Sequence, residues 1–300
     1  MEKITPHLWF NKEAREAAEF YTGLFPHSKI THMTTLHDTP SGDCDVVSFE
    51  LSNQSFMAIS AGPLFKFNPT VSFLVTFNPL QEKDAREKLD LLWNKLSCNG
   101  MELMQLQEYP FSKRYGWVQD KYGLSWQLIL SDLINERQFI IPSLLFVGNR
   151  CGKAEEAINF YTSIFKNSRR GSVARYDSEQ APNQEGTMAF ADFMLLDRWF
   201  AAMDSAGVSD FAFNEAISFM VNCETQEEID YYWEKLSAVP EAEQCGWLKD
   251  KYGLSWQIVP TVLSDMMKKG SSKQTERIMQ SFLQMKKFDI ATLKRAYEGT

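Results

Sequence analysis

Histidine, paired cysteine motifs and long apolar runs are all scarce in this sequence. The 300 residues contain four histidines, His7, His27, His32 and His37, and none lies in the second half. The five cysteines are widely spaced and include no CxxC pair, which argues against a disulfide framework and against a thiolate zinc site. No apolar run approaches a membrane span, and the N-terminal stretch lacks the features of a signal peptide. These absences predict a cytoplasmic protein with reduced thiols.

An excess of positive charge is also missing. The formal net charge is −8 and the isoelectric point is near 5.2, so the chain has no net basic charge with which to neutralise phosphates. Nucleic acid and membrane are therefore not expected as partners. The content of 44% hydrophobic and 23% charged residues is ordinary for a globular protein.

Common catalytic motifs are absent as well. The sequence has no GxGxxG, P-loop, GxSxG or HExxH motif. A methyltransferase would normally carry a glycine-rich loop after its first strand, so that activity is not expected here. Cys245 is a candidate thiol nucleophile, but buried filler is the favoured interpretation because the matching residue of the first half is Tyr115.

An internal repeat organises the chain. AAEFYTGLF at 17–25 returns as EAINFYTSIF at 156–165, and FNPTVSFLV at 67–75 returns as FNEAISFMV at 213–221. YGWVQDKYGLSWQLI at 115–129 returns as CGWLKDKYGLSWQIV at 245–259. Order is preserved while the spacing changes, as expected when core elements are kept and loops diverge. We therefore predict two domains, residues 1–138 and residues 139–300.

Each half alternates between strand and helix periodicity. A short apolar segment ending at Phe10 predicts a strand, and Ala14, Ala17, Ala18, Tyr21 and Phe25 follow at helical spacing. Next come strands at 46–51 and 56–59, a further strand at Val71–Phe77, and a second helix whose apolar face runs from Ala85 to Leu96. The repeated hairpin closes the half. The pattern predicts an α+β protein with two βαβββ modules in each half. Beyond residue 260, helices are predicted with caps at Thr261 and Asp289; their role is packing or binding of a partner protein.

Alternation along the hairpin separates two sets of side chains. Leu124, Trp126 and Leu128 should share one face of a strand, so Ser125 and Gln127 should point to the other. Gly123 permits the positive φ of a turn after Asp120. Gln127 and its counterpart Gln257 either project into a pocket, or they face solvent or are hydrogen-bonded within the protein.

The blocks TPHLWF, AAEFYTGLF, FNPTVSFLV and DKYGLSWQ, with the ending LQMKKFDIATLKRAYEG, resemble the PhnB-like family of the vicinal oxygen chelate superfamily, which includes glyoxalase I, bleomycin-resistance proteins and extradiol dioxygenases. The resemblance covers nearly all of both halves. It implies a tandem of two vicinal-oxygen-chelate domains, in which paired βαβββ modules curl mostly antiparallel sheets around a cavity. It also implies either a monomer with pseudo-dimeric domains or a homodimer.

Metal-using relatives hold a divalent ion through His, Gln or Glu residues on the first and last strands of each module. Counting along their D-x-x-G motif places Gln127 and Gln257 at the position of a ligand Glu. A neutral amide is a weak ligand for a hard dication. His7 lies on the first strand, but its match in the second half is Ser143. No metal and no other cofactor is therefore expected.

Three functions are compatible with these residues. The favoured one is binding of a small, partly apolar molecule in the sheet cavity. A glyoxalase- or dioxygenase-type enzyme, using a metal or acid/base groups around His7, Glu50 and Gln127, is the alternative, and a regulatory module that binds a protein is the third. No catalytic residue is assigned; the candidates for lining the pocket are His7, Glu50, Trp117, Ser125, Gln127, Trp247, Ser255 and Gln257.

Overall fold

The computed structural model describes residues 2–39, 42–132, 137–207 and 210–300, except for the side chain of Asp38. The first module contains β1 (Ile4–Phe10), α1 (Ala14–Leu24), β2 (Lys29–Thr39), β3 (Gly42–Leu51) and β4 (Gln54–Ser60). The second contains β5 (Val71–Phe77), α2 (Ala85–Leu96), β6 (Met101–Tyr109), β7 (Ser112–Gln119) and β8 (Ser125–Leu130). Both have the predicted βαβββ order.

The second half repeats this order with one change. The third module contains β9 (Ile140–Phe146), α3 (Ala154–Ile164), β10 (Arg169–Arg175), β11 (Met188–Leu195) and β12 (Arg198–Asp204). The fourth contains β13 (Ile217–Cys223), α4 (Gln226–Leu236), β14 (Trp247–Lys249) and β15 (Ser255–Pro260). Among the described residues, two strands rather than three follow α4, because a short 3-10 turn, Pro240–Ala242, lies where the second module has β6.

The chain forms two compact units that do not coincide with the two halves of the sequence. One unit comprises the residues up to Leu8 and Ile217–Thr300, and its strands run in the order β14-β15-β13-β1. The other comprises Trp9–Ala216 and contains the neighbours β4-β3-β2 and an eight-stranded sheet ordered β10-β11-β12-β9-β5-β8-β7-β6. The division of the sequence at residue 138 stays a prediction, and residues 133–136 just before it lie outside the described part.

The eight-stranded sheet joins the two halves through one pair of strands. β5 pairs antiparallel with β9, with Ser72 opposite Ser143, and it pairs parallel with β8 on its other side. All seven residues of β5 and all seven of β9 are buried. The centre of this sheet is therefore covered on both faces, which explains why these strands read as nearly continuous apolar runs.

Helix α1 shows how the sequence pattern sets the packing. Its buried residues, Ala14, Ala17, Ala18 and Tyr21, recur at helical spacing and form one face. At its N-terminus the backbone amide of Ala14 donates to the Ser60 hydroxyl at the end of β4, at 3.2 Å. The helix is thereby fixed to the last strand of its own module.

The C-terminal helices α5 (Thr261–Lys269), α6 (Ser272–Phe282) and α7 (Ile290–Glu298) belong to the first unit. The predicted cap at Asp289 is confirmed, because its carboxylate accepts from the Thr292 amide at 2.6 Å. The predicted cap at Thr261 is wrong: Pro260 precedes the helix, and Thr261 is already its first residue. Among the described residues, no helix is long and apolar enough to cross a membrane.

The segment between α6 and α7 contacts the hairpin of the fourth module. The amides of Cys245 and Gly246 donate to the carbonyls of Met285 and Lys286, at 2.8 and 2.7 Å. Gly246 has a φ of +82°, and the ring of Phe288 fills the space that a β-carbon would need. In the second module, β6 pairs with the matching part of β7. The C-terminal segment thus provides the hairpin with backbone partners at the edge where the described residues of the fourth module form no counterpart of β6.

Candidate functional site

The two faces of strand β8 hold different chemistry, as the alternation predicts. Trp126 is fully buried, and its indole nitrogen donates to the carboxylate of Asp120 at 2.9 Å. Gln127 points the other way and donates from Nε2 to the Ser72 hydroxyl at 2.8 Å. The hairpin therefore contains a structural half built on Asp120 and a separate polar group built on Gln127.

The structural half explains most of the repeated sequence. Four donors surround the buried carboxylate of Asp120: the Tyr21 hydroxyl at 2.7 Å, the Trp126 indole at 2.9 Å, and the backbone amides of Tyr122 and Leu124 at 2.9 and 3.1 Å. Burial raises the pKa of Asp120, while these hydrogen bonds oppose that rise. The repeated motif is therefore a turn that a buried carboxylate holds closed. This carboxylate does not lie on the face of β8 that carries Gln127.

The polar half begins at Gln127, which is 2% exposed. Its Oε1 accepts from the Tyr115 hydroxyl at 2.7 Å, while its Nε2 donates to Ser72 on the neighbouring strand. Burial raises the pKa of Tyr115, so the phenol stays protonated and remains a donor. The amide is thus held in one orientation by a partner on each side.

Ser143 extends this group across the junction of the two halves. It lies opposite Ser72 in the pairing of β5 with β9 and is fully buried, and its hydroxyl has no hydrogen-bond partner among the described residues. Buried hydroxyls are rarely left unpaired, and in this Ser143 differs from Ser72, whose hydroxyl accepts from Gln127. We call Ser72, Tyr115, Gln127 and Ser143 the polar cluster.

Apolar side chains surround the polar cluster within the same sheet. Leu74 is the next residue of β5 on the same side of the strand as Ser72, and it packs in a buried cluster with Ile141, Trp199 and Ala201. Ile129, Phe190 and Met194 pack against that cluster. A few convergent polar groups among aromatic and aliphatic side chains are the usual composition of a small-molecule site.

Trp117 and Ser125 lie beside the polar cluster and bond to each other. The half-buried indole of Trp117 donates to the Ser125 hydroxyl at 2.7 Å, and Trp117 is opposite Gln127 in the pairing of β7 with β8. The structure thus brings three predicted candidates, Trp117, Ser125 and Gln127, into one place. Glu50 is paired elsewhere, with Lys29 at 3.3 Å.

The other unit carries a related arrangement around Gln257. Its Nε2 donates to the Ser218 hydroxyl at 2.9 Å, and Ser218 pairs with His7 across β1 and β13. The His7 ring meets the Trp247 ring edge-on, with centroids 5.4 Å apart, and its buried Nδ1 has no hydrogen-bond partner in the part of the chain that the structure describes. Burial lowers the pKa of His7 to about 3, so the imidazole is neutral at physiological pH.

The two arrangements differ at two positions. His7 replaces Ser143, and Cys245 stands where the first half has Tyr115. Burial raises the pKa of the Cys245 thiol, which disfavours the reactive thiolate. The candidate Ser255 is buried, and its hydroxyl bonds to none of the described residues, whereas its counterpart Ser125 accepts from Trp117.

The polar cluster does not fit the divalent metal that the superfamily implies. Its donors are two hydroxyls, a protonated phenol and a neutral amide, whereas hard dications need carboxylates or several imidazoles. Within the described part of the chain, no three His, Cys, Asp or Glu side chains are grouped to hold a metal ion. The arrangement can instead donate and accept hydrogen bonds with an uncharged or weakly polar molecule.

Sequence reasoning missed Ser72 and Ser218 as site residues. Both stand in the repeated blocks FNPTVSFLV and FNEAISFMV as single polar residues between apolar neighbours. This is the signal that identified Gln127 and Gln257. The same signal holds for a strand whose two faces are both buried, as in β5 and β13.

Comparisons with known proteins match this organisation. A family model described as 3-demethylubiquinone-9 3-methyltransferase matches residues 2–129 and, separately, 138–259. A Bacillus cereus structure described as "PhnB protein" is 38% identical; the match covers 43% of this chain and 99% of that chain, with a TM-score of 0.39. A Staphylococcus aureus structure is 34% identical over 43% of this chain and 95% of that chain, with a TM-score of 0.18.

Glyoxalase I from Zea mays is similar over more of the length. The match covers 88% of this chain and 93% of that chain at 13% identity, with a TM-score of 0.52. At this identity the likeness shows the fold and nothing about activity. No curated protein matches the chain.

Proposed function

Because the chain belongs to the PhnB-like family of the vicinal oxygen chelate superfamily, whose model matches both halves, we propose that it binds a small, partly apolar molecule at the polar cluster without a metal centre. The observation that carries the proposal is the bond from Gln127 to Ser72, together with the unpartnered Ser143 hydroxyl on the opposite strand. These groups are buried among apolar side chains. A ligand that binds there therefore displaces little water and forms well-placed hydrogen bonds.

Two features support binding in preference to a metal-dependent reaction. The position of the superfamily's ligand Glu is held by Gln127, whose amide is already occupied by Tyr115 and Ser72. The first strand of the third module offers Ser143, a poor ligand for a divalent ion. The site therefore favours recognition of a carbonyl or hydroxyl group over polarisation of an oxygen by a metal.

The acid/base enzyme has less support. His7 has a pKa of about 3, which makes it a weak base, and Glu50 is paired with Lys29. The methyltransferase description of the family is a statement about other proteins. The mixed sheets of this chain carry no glycine-rich loop between a first strand and a helix, which methyl-donor nucleotide cofactors normally require.

The test is a ligand-detected NMR screen of small ketones, amides and phenols against wild-type protein and three variants. We expect molecules that bind the cluster to lose about tenfold or more in affinity in Gln127→Met, which keeps the size of the side chain but removes both hydrogen bonds. Gln257→Met shows whether a ligand prefers the other unit. Gln105→Met, on exposed strand β6, is the control and should leave every affinity unchanged.

Metal analysis completes the test. Protein purified without chelator is expected to contain no stoichiometric divalent metal, and added zinc or magnesium should not change the affinity of any ligand. The proposal is contradicted if binding requires added metal, or if every ligand found binds Gln127→Met as tightly as it binds wild-type protein. Cytoplasmic location and a monomeric or dimeric state remain predictions to be checked by fractionation and by light scattering.

A further inference from the structure

The polar cluster is closed to solvent, so a ligand reaches it only when part of the structure opens. Its four side chains, Ser72, Tyr115, Gln127 and Ser143, are all buried. Strands β5 and β9, which carry the two serines, are buried along their whole length and are each paired on both sides. Elements of this kind open at the highest free energies in a protein. The opening therefore lies at a less constrained element.

The β6–β7 hairpin is an element of that kind. Strand β6 is an edge of the eight-stranded sheet and, among the described strands, pairs with β7 alone. Its pairing is irregular in three places, between Glu102 and Met104, between Met104 and Gln107, and between Gln107 and Tyr109. An edge strand with an interrupted ladder opens more readily than the centre of a sheet. The hairpin can therefore open while β5 and β9 stay in place.

The tip of this hairpin packs directly against the polar cluster. The rings of Tyr109 and Phe111 are stacked, with centroids 5.6 Å apart. Each of them also meets the ring of Tyr115 edge-on, at 5.6 and 5.0 Å. The Tyr115 hydroxyl in turn donates to Gln127 at 2.7 Å. We call residues 109–111 the aromatic tip, and it covers the side chain that holds Gln127 in place.

The contacts that hold the aromatic tip are local. The Tyr109 hydroxyl donates to the Gln105 carbonyl of its own strand at 3.0 Å. Phe111 is 62% exposed, so its ring is held by aromatic contacts more than by burial. Just beyond the tip, the Ser112 hydroxyl bonds to the Leu130 carbonyl of β8 at 2.8 Å. This bond fixes the base of the hairpin, and the tip can lift about it.

The fourth module closes the corresponding place in a different way. Cys245 replaces the tyrosine that the aromatic tip contacts. The amides of Cys245 and Gly246 bond to the C-terminal segment, and the buried ring of Phe288 packs against Gly246. That segment is held by backbone bonds and a buried ring, whereas the aromatic tip is held by a partly exposed ring stack. We therefore expect Gln257 to meet solvent less often than Gln127.

We propose that the aromatic tip is the gate of the polar cluster, an inference that rests on the proposed function of that cluster. When Tyr109 and Phe111 lift away, the ring of Tyr115 and its bond to Gln127 are exposed to solvent. A small molecule then enters along the aromatic surface, and the tip closes behind it. Rings at the entrance suit a partly apolar ligand. The residues of the gate and of the polar cluster lie within one compact unit.

The first experiment needs no ligand. NMR of the full chain measures how fast the side-chain amide protons of Gln127 and Gln257 exchange with solvent. Replacing both Tyr109 and Phe111 by alanine removes the ring contacts of the closed state and should speed exchange at Gln127 by about tenfold. Phe111→Ala alone leaves Tyr109 in place and should speed it by about twofold. Exchange at Gln257 should stay at the wild-type rate in both variants.

Met101→Ala is the matched control for Phe111→Ala. Met101 is also an apolar residue of this hairpin with most of its surface exposed (56%), but it lies at the opposite end of β6 from the tip. Its replacement should leave exchange at both glutamines unchanged. The inference is overturned if the double variant exchanges Gln127 at the wild-type rate, or if Met101→Ala speeds exchange as much as Phe111→Ala. It is also overturned if Gln257 speeds up by the same factor as Gln127, because that result indicates general loosening.

The second experiment uses any molecule found to bind the polar cluster. A gate acts on entry and exit alike, so the double variant should raise the association and dissociation rates together by about tenfold, and Kd should stay within about twofold. Both rates are measured by NMR line-shape analysis. Unchanged rates overturn the gate even when the molecule binds. If no molecule binds, the proposed function fails, and the exchange rates of Gln127 still decide whether the tip opens.

Discussion

The indole nitrogen of Trp126 donates to the carboxylate of Asp120 at 2.9 Å, and Trp256 makes the same bond to Asp250 at the same distance. Both carboxylates are buried, and each also accepts two backbone amides of its turn. The hairpin is repeated because a buried carboxylate organises the turn that precedes the last strand of the module. That strand then presents its glutamine on the opposite face.

Replacing this carboxylate should cost stability. In Asp120→Asn, the amide group offers one acceptor oxygen to the four donors, and its NH₂ faces groups that also donate. We expect the free energy of unfolding to fall by about 2–4 kcal/mol, measured by urea denaturation. Tyr21→Phe removes one of the four donors and should cost less. Equal stability of Asp120→Asn and wild type would show that the turn does not depend on the charge.

Stability should depend on pH through His7. Its pKa is about 3 in the folded protein, below the ordinary value of 6.5, so the unfolded chain binds more protons between these values. The free energy of unfolding is therefore expected to fall as the pH drops below 6.5, by about 2 kcal/mol at pH 5. His7→Gln should lack this component.

The measurement compares urea denaturation of wild type and His7→Gln at pH 7.5 and pH 5. The difference between the two proteins isolates His7 from the other groups that titrate. His32→Gln, on the exposed strand β2, is the matched control and should follow wild type at both pH values. A pH dependence unchanged by His7→Gln would mean that the imidazole is charged or solvated in the folded protein.

The C-terminal segment should be essential for stability. Phe288 is 3% exposed and packs against the hairpin at Gly246. Phe288→Ala should lower the free energy of unfolding by about 3–5 kcal/mol, because it leaves a cavity beneath the only backbone partners of that edge in the described structure. Phe111→Ala, which removes a ring that is 62% exposed, should change it by less than about 0.5 kcal/mol. A small effect of Phe288→Ala would favour the partner-binding role of the tail.

Local patterns predicted the elements well. The strand at Val71–Phe77 has the predicted bounds, and the buried residues of the helix Ala85–Leu96 are those of the predicted apolar face, because apolar periodicity reports directly which face is buried. The cap at Thr261 was wrong since a proline ends the preceding strand immediately before the helix. The missing third strand of the fourth module left no signal, because the segment that replaces it comes about forty residues later in the chain.

The candidate site was predicted in part. Alternation placed Gln127 opposite Trp126, and this is confirmed by their separate partners, Ser72 and Asp120. Alternation could not show that Ser143 lies across from Ser72, because these residues come from different halves and meet through the pairing of β5 with β9. Sequence spacing carries no information about pairing between strands so far apart.

The sequence by itself determined the family, the repeat and the two faces of each strand, since all three depend on residues that are neighbours along the chain or recur in matching blocks. The tertiary structure decided which strands share a sheet, and with it that Ser143 joins Gln127 while His7 joins Gln257. These differences arise because burial and hydrogen bonding depend on long-range pairing, and the two copies of each repeated block pair with different partners.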